Sequence, residues 1–321
     1  MRKAVLLYNP ESGARQSRRL VEVQSALAIL QKAGVEAALV LTESTDHAGE
    51  HAARAIQAGC DTVFACGGDG TIHNIIQVLA QTPVALGILP MGTGNTLAHD
   101  LRLPLKVAAA ATTALHAQPR RIALGRVHYR GFDGMRAARY FVIAAGIGVD
   151  AHLFYKLHHS VKQKLGMSAY YLKAWHLWWT HPMTRFRAEY VESGSNEVHR
   201  ADVTELMGVR IRYFGGVLRE LAPGASLDRD DVRIVICQTS SRLAYLLYVM
   251  RGVFGVRWQI PGVDLAFSQK VSCDYASPAV ASEDAGKRQP SIYVEADGEL
   301  LGTLPVEITV VPEALTLLTP S

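Results

Sequence analysis

Gly67-Gly68-Asp69-Gly70-Thr71-Ile72-His73-Asn74-Ile75-Ile76-Gln77-Val78-Leu79 decides how this chain is read. It follows Thr62–Cys66, a short apolar run of the kind that forms a buried strand. From Ile72 onward the apolar residues recur at 72, 75, 76 and 79, one face of a helix over 70–81. Strand, glycine turn and helix together form the repeating unit of an open parallel sheet. The alternation extends both ways. Ala4–Tyr8 reads as a strand, 16–33 as a helix stopped by Gly34, Ala37–Leu41 as a strand, and 47–58 as a helix stopped by Gly59. Val84–Leu89 is the fourth strand. Residues 1–121 are therefore expected to form a doubly wound α/β domain with right-handed crossovers.

Beyond Arg121 the pattern changes. Ile122–Tyr129, Arg139–Ala145, Val203–Tyr213, Val232–Cys237, Val263–Tyr275 and Ser291–Ala296 are strand-like, with helical patterns only at about 161–180 and, more weakly, 241–251. Strands joined by turns predict an antiparallel, β-rich second domain over 122–309, with the tail 310–321 packing back on the first domain.

The 321 residues are 49% hydrophobic and 19% charged, which excludes a disordered chain and suits about two domains. The longest stretch without an acid or a base, Gly70–His99, is broken by Asn74, Gln77, Gln81, Pro83, Pro90 and Asn95, so it is not a membrane span. The start, MRKAVLLYNP, has too short an apolar run for an export signal. Cys60, Cys66, Cys237 and Cys273 show no CxxC spacing, which argues against a zinc knuckle and a disulfide scaffold. The expectation is a cytoplasmic protein. Its net charge of +4 is uneven: residues 120–190 hold twelve Lys/Arg against three acids, and the remainder 21 against 26. A basic middle suits an anionic partner, whether nucleic acid, a membrane surface or a phosphorylated metabolite.

Three glycine-bearing segments follow strand ends: Asn9-Pro10-Glu11-Ser12-Gly13, Gly67–Thr71, and Pro90-Met91-Gly92-Thr93-Gly94-Asn95-Thr96. At the carboxyl edge of a parallel sheet, such loops let backbone N–H groups approach phosphate oxygens. Gly68 is expected to need both positive φ and that close approach. There is no GxxxxGK[ST] loop and no GxGxxG fingerprint. Asp69 would repel phosphate unless it serves a metal or a proton transfer, or caps a helix.

Together these segments resemble the catalytic domain shared by diacylglycerol, sphingosine, ceramide and bacterial lipid kinases. YNPESG, GGDGTIHNIIQVL and LPMGTGNTLAHDL carry the likeness in the first half. Ala145–Ala151 (AGIGVDA), Lys164-Leu165-Gly166, Tyr213–Gly216 with Ala222–Ala225 (APGA), and Glu295–Glu299 (EADGE) carry it in the second. The GGDGT loop also occurs in NAD kinases, but their NxGxLGFL-like segment is missing. The resemblance implies a β-sandwich second domain, an interdomain cleft, and ATP-dependent phosphorylation of a lipid alcohol, with Mg²⁺. It implies nucleotide contacts at Asn9, Pro10, Ser12, Gly13, Thr42, Gly67, Gly68, Asp69, Gly70, Thr71, Ile72, His73, Gly92 and Thr93. Glu299 is implied as the proton acceptor, with Asp297 beside it, Asp69 as a further catalytic candidate, and Asp150 in an acid, water and magnesium network. No nucleic acid is expected as a partner; a transient anionic membrane surface at the inner membrane face is.

The chain departs from the family pattern in places. Ile122-Ala123-Leu124-Gly125 stands where IDLG is usual, and Val217-Leu218 replaces a methionine. The magnesium-holding segment reads Leu227-Asp228-Arg229-Asp230-Asp231, so Asp228 and Asp230 are the candidate metal ligands. Tyr171, Trp175, Trp178 and Trp179 form a stripe at helical spacing, read as core, as a lipid-tail groove or as a membrane anchor. Two rival readings stand beside the lipid kinase: an NAD kinase-like enzyme with a soluble substrate, and a non-catalytic nucleotide- or lipid-binding regulator.

Overall fold

The computed structural model describes residues 1–10, 16–42, 47–152, 179–180, 182–195, 197–215, 220–256, 258–276 and 291–320. The expected helical segment at about 161–180 lies outside these except for its last two residues, and with it three of the four stripe residues; Ser12 and Gly13 lie outside as well.

The first half follows the strand–helix alternation of its sequence. Strands β1 (Lys3–Tyr8), β2 (Glu36–Leu41), β3 (Thr62–Gly67) and β4 (Ala85–Pro90) lie in the order β2-β1-β3-β4, all parallel. Helices α1 (Gln16–Lys32), α2 (His47–Gln57), α3 (Asp69–Leu79), α4 (Thr96–Asp100) and α5 (Val107–His116) connect or flank them. Alternation along β1 feeds two cores. Val5 and Leu7 join the α2 and α3 residues Ala52, Ile72 and Ile76, whereas Ala4, Leu6 and Tyr8 join Val23 of α1 and Ala110 of α5. With both faces covered, the strands appear in the sequence as unbroken apolar runs. Gly34 and Gly59 follow α1 and α2 at φ +84° and +79°, the left-handed turn that stops a helix.

The second half is antiparallel. Among the described residues it comprises β5 (Gln118–Arg130), β6 (Arg136–Phe141), β7 (Ala144–Gly148), β8 (Phe186–Glu192), β9 (Val198–Val203), β10 (Glu205–Val209), β11 (Val232–Cys237), β12 (Val263–Tyr275), β13 (Tyr293–Ala296) and β14 (Glu299–Thr319), together with helix α6 (Arg242–Phe254). The sheet continues as β4-β14-β13-β7-β10-β11-β12-β8-β9, and β12 also pairs with β14, so the sheet folds back over the core of Val127, Phe141, Ile147, Phe186, Leu206 and Ile234. β14 joins the halves: Thr316 and Leu317 pair in parallel with Ala85 and Leu86 of β4. All four cysteines are free and buried. Among the described residues, no helix is long and apolar enough to cross a membrane.

Register sets one end of the second-half sheet in a row. Thr303 faces both Tyr293 and Arg130; Val294, next to Tyr293, faces Ile147, next to Gly148. Gly148 then faces Glu205, Glu205 faces Cys237, and Cys237 faces Val263.

Candidate active site

The loops after β1, β3 and β4 gather at the carboxyl edge of the parallel strands. Asn9 and Thr42 are buried there, and Thr42 N donates to Tyr8 O at 2.9 Å. Met91 N donates to Gly67 O at 2.9 Å, joining the second and third loops. These loops touch through glycine. A Cβ on Gly92 would lie 2.4 Å from Gly68 Cα, and one on Gly68 would lie 3.1 Å from Gly92 Cα. Gly68 itself has φ −98°, ψ −170°, so the expected positive φ is absent; the residue is glycine because another backbone passes against it.

Asp69 closes the same junction. Its Oδ2 accepts from Thr96 N at 3.0 Å and its Oδ1 from Leu97 N at 3.2 Å. It caps α4, the helix after the third loop, rather than its own helix, whose N-cap is Gly68. Both oxygens are held by N–H donors, which suits a staple better than a proton carrier or a metal ligand. Asn95, at φ 49°, exchanges hydrogen bonds with Gly92 N (2.7 Å) and Gly92 O (3.0 Å), and Arg19 Nη1 donates to Met91 O. Gly92 is half-buried and Thr93 exposed at the tip of this loop. Two of the expected nucleotide contacts turn inward instead: Ile72 belongs to the core, and His73 is buried against Asp297. Thr71 is also buried, its side chain packed at Gly67.

The second half meets these loops at the β13–β14 hairpin. Asp297 and Gly298 both have positive φ (51° and 84°), and Ala296 pairs with Glu299, so DG is a tight turn. The Asp297 carboxylate accepts from the N–H groups of Val142 (3.1 Å), Ile143 (2.8 Å) and Ala144 (3.2 Å), and its Oδ2 lies 3.3 Å from His73 Nδ1. So many donors make it an anchor that ties the second-half turn to α3. Glu299 follows, half-buried, at the start of β14.

Beside this turn lie three more acids. A Cβ on Gly146 would be 2.7 Å from Asp150 Oδ2 and 2.9 Å from Glu295 Oε1, so the two carboxylates meet over a glycine. Glu205 Oε2 accepts from Asp150 N at 3.0 Å, while its buried Oε1 has no hydrogen-bond partner. Burial raises the Asp150 pKa to about 6. Burial, and then the Asp150 charge, hold Glu205 and Glu295 well above the usual carboxylate range. Among the described residues, no group of three or more His, Cys, Asp or Glu side chains is arranged to hold a metal.

The expected metal segment is organised differently. Asp228 pairs with Arg120 and accepts from Ser226 Oγ at 3.0 Å, and Asp230 is exposed. Arg229 clasps Asp231 through two hydrogen bonds of 2.6 and 2.7 Å and stacks on Phe267. Beneath them the fully buried Arg210 donates to the carbonyls of Arg229 (2.7 Å), Asp231 (2.5 Å) and Ala123 (2.9 Å). Burial draws its pKa down to about 10, which leaves it charged at neutral pH. A guanidinium already supplies the positive charge that these carbonyls need, so Asp228 and Asp230 do not fit as a metal-binding pair. Glu205 and Arg210 were not picked out from the sequence. The only signal was a charged residue inside an otherwise apolar strand run, Leu206–Val209 flanked by each.

Comparison with known proteins agrees with this geometry. The model of the diacylglycerol kinase catalytic domain matches residues 3–127, and that of the YegS C-terminal NAD kinase beta sandwich-like domain matches 143–319. The chain belongs to the diacylglycerol kinase catalytic-domain family. Relatives include a diacylglycerol kinase of Staphylococcus saprophyticus, 29% identical over 252 residues (78% of this chain, 77% of the relative), and one of Staphylococcus aureus, 28% identical over 257 residues (78% and 74%). The fold is shared with a diacylglycerol kinase structure from Bacillus anthracis, at TM-score 0.68 and 16% identity, covering 99% of this chain and 96% of that one. A more distant likeness, at TM-score 0.51 and 10% identity, is to yeast NADH kinase complexed with NADH, covering 100% of this chain and 84% of that one. Membership of the family makes this protein a kinase by descent, with an α/β first domain and a sandwich-like second domain.

Proposed function

We propose that the protein transfers the γ-phosphoryl group of ATP to the hydroxyl of a lipid alcohol, diacylglycerol or a close relative. The observation that carries this reading is the contact of His73, on the helix opened by GGDGT, with Asp297, on the turn that precedes Glu299. It sets the glycine loops and the acid-bearing hairpin against each other. In this reading residues 1–121 serve the nucleotide and 122–309 the acceptor, with 310–321 closing on the former.

ATP phosphates lie against the loop backbones of Asn9–Pro10, Gly67–Gly70 and Gly92–Thr93, where the amino end of α3 adds a favourable field. ATP enters as its Mg²⁺ salt, and the ion accompanies the nucleotide rather than a carboxylate cluster of the protein. Glu299 accepts the proton of the acceptor hydroxyl as its oxygen bonds to the γ-phosphorus and the bond to the β-phosphate oxygen breaks, releasing ADP. Asp297 positions that strand. Most of the rate comes from placement and electrostatics. Incubating purified protein with radiolabelled ATP and a panel of lipid alcohols should yield a phosphorylated lipid. Transfer to NAD instead, or ATP binding with no transfer to any acceptor, would overturn the proposal in favour of a soluble-substrate kinase or a regulator.

A further inference from the structure

The geometry points to a membrane-docking face at the sheet end where Arg130, Thr303, Tyr293, Gly148, Glu205, Cys237 and Val263 align, built from the β5–β6 hairpin tip and the start of α6. Its occupant is an anionic bilayer surface, and the inference rests on the lipid-kinase reading for its purpose. Two excursions leave this row. Residues 131–135 join Arg130 to its partner Arg136, and residues 238–262 join Cys237 to Val263. Eight of the fifteen large apolar side chains exposed among the described residues lie on them. Phe132 is 59% exposed and Met135 67% at the hairpin tip, and Leu243 64% and Leu247 38% on the first turns of α6. An apolar cluster of this kind is uncommon on a protein meeting only water.

Charge identifies the occupant. The hairpin from Arg126 to Arg139 holds four arginines and one acid, Asp133, and the start of α6 adds Arg242, with no acid in 238–262. Apolar tips between cations suit an interface of anionic headgroups above acyl chains. The helix start also carries Arg242, with its guanidinium 5.7 Å from the exposed Trp179 ring. That gives one member of the sequence's tryptophan stripe a place on this face.

Position ties the face to the chemistry. Phe132 lies 6.3 Å from Tyr293, and Tyr293 lies 5.5 Å from His152, ring centre to ring centre. Tyr293 stands two residues before Glu295, and His152 two after Asp150. An aromatic line thus leads from the hairpin tip to the acids over Gly146. On the other side, Tyr245 of α6 shares a 2.7 Å hydrogen bond with Thr204, next to Glu205. A lipid hydroxyl could reach the cleft while its chains remain in the bilayer that the tip engages.

The test uses the full chain and vesicles of phosphatidylcholine with or without about a third phosphatidylglycerol. Wild type should co-sediment with the anionic vesicles only, and less as salt rises. Phe132→Ser/Met135→Ser and, separately, Arg130→Gln/Arg136→Gln should each weaken that binding about ten-fold, with unchanged circular dichroism and melting. Turnover of dioctanoylglycerol dissolved as monomers should stay at the wild-type level in both variants. Vesicle affinity that survives both double substitutions overturns the inference. So does a dimer, seen by sedimentation velocity, that the tip variant dissociates without affecting vesicle binding, since the face would then join two copies. If no lipid is phosphorylated at all, the kinase reading fails, and the vesicle measurement still decides the docking face.

Discussion

Acids serve opposite purposes at the glycine-loop junctions and over Gly146. At the glycine loops and at the turn of the hairpin, Asp69 and Asp297 have their oxygens filled by backbone N–H groups, two for the first and three for the second. Carboxylates bonded in this way fix loops in place. Over Gly146, by contrast, Asp150 and Glu295 meet, and Glu205, which accepts from Asp150 N, keeps one oxygen buried without a donor. Burial pushes all three toward the protonated form, and the Asp150 charge adds to this for Glu205 and Glu295. All five are carboxylic acids; the number of N–H donors and the crowding of acids separate a staple from a group whose pKa burial raises. Glu299 belongs to neither set, being half-buried at the strand start.

Acid-to-amide substitutions probe this difference, and the largest effect belongs to Glu299→Gln. As the proton acceptor it should lose at least about 100-fold in phosphoryl transfer, with ATP affinity nearly unchanged. Single-turnover assays together with calorimetric titration read both. Retention of more than about a tenth of the rate would move the base elsewhere and break the contrast with the filled carboxylates.

Asp69→Asn should act through structure. The amide keeps one acceptor, but its NH₂ faces the N–H of Thr96 or Leu97. The loss of one charge-assisted bond should cost about 1–2 kcal/mol and lower the melting temperature by several degrees. Nucleotide affinity should fall with it, because the second and third loops part. A variant that melts like wild type but transfers no phosphate would instead make Asp69 a chemical participant.

The sequence revealed the parallel half to within about a residue at most element ends, because burial on both faces writes each strand as a continuous apolar run between glycines. The antiparallel half was less legible. The run Arg139–Ala145 contains two strands, β6 and β7, separated at Val142–Ile143. The break occurs because Asp297, far along the chain, takes the N–H groups of 142–144. β8, Phe186–Glu192, mixes charges with apolar residues on a half-exposed face and left no clear strand signal. Gly68 was misread for the same kind of reason, since its constraint comes from Gly92 rather than from its own dihedrals. The motif residues of the site were legible through family resemblance. Glu205 and Arg210 were not, because a lone charge in a strand gains meaning only from the neighbours that the fold brings to it.

The smallest expected effect is also the sharpest test of the comparison. Glu205 has a folded-state pKa well above its ordinary 4.5, set by burial first and the Asp150 charge second. A raised carboxylate pKa means that folding is favoured when the group is protonated. That contribution is fully present below about pH 4.5 and is lost as pH rises through the folded-state pKa. As pH rises, the wild type therefore gives up this contribution. Glu205→Gln keeps the acceptor for Asp150 N and removes the charge. It should raise the melting temperature by about 3–5 °C at pH 8, with the gain shrinking steadily toward pH 5. A gain independent of pH would mean that the amide merely packs better. A loss of stability at pH 8 would mean that Glu205 is filled like Asp69 and Asp297, and the division between the two sets of acids would not hold.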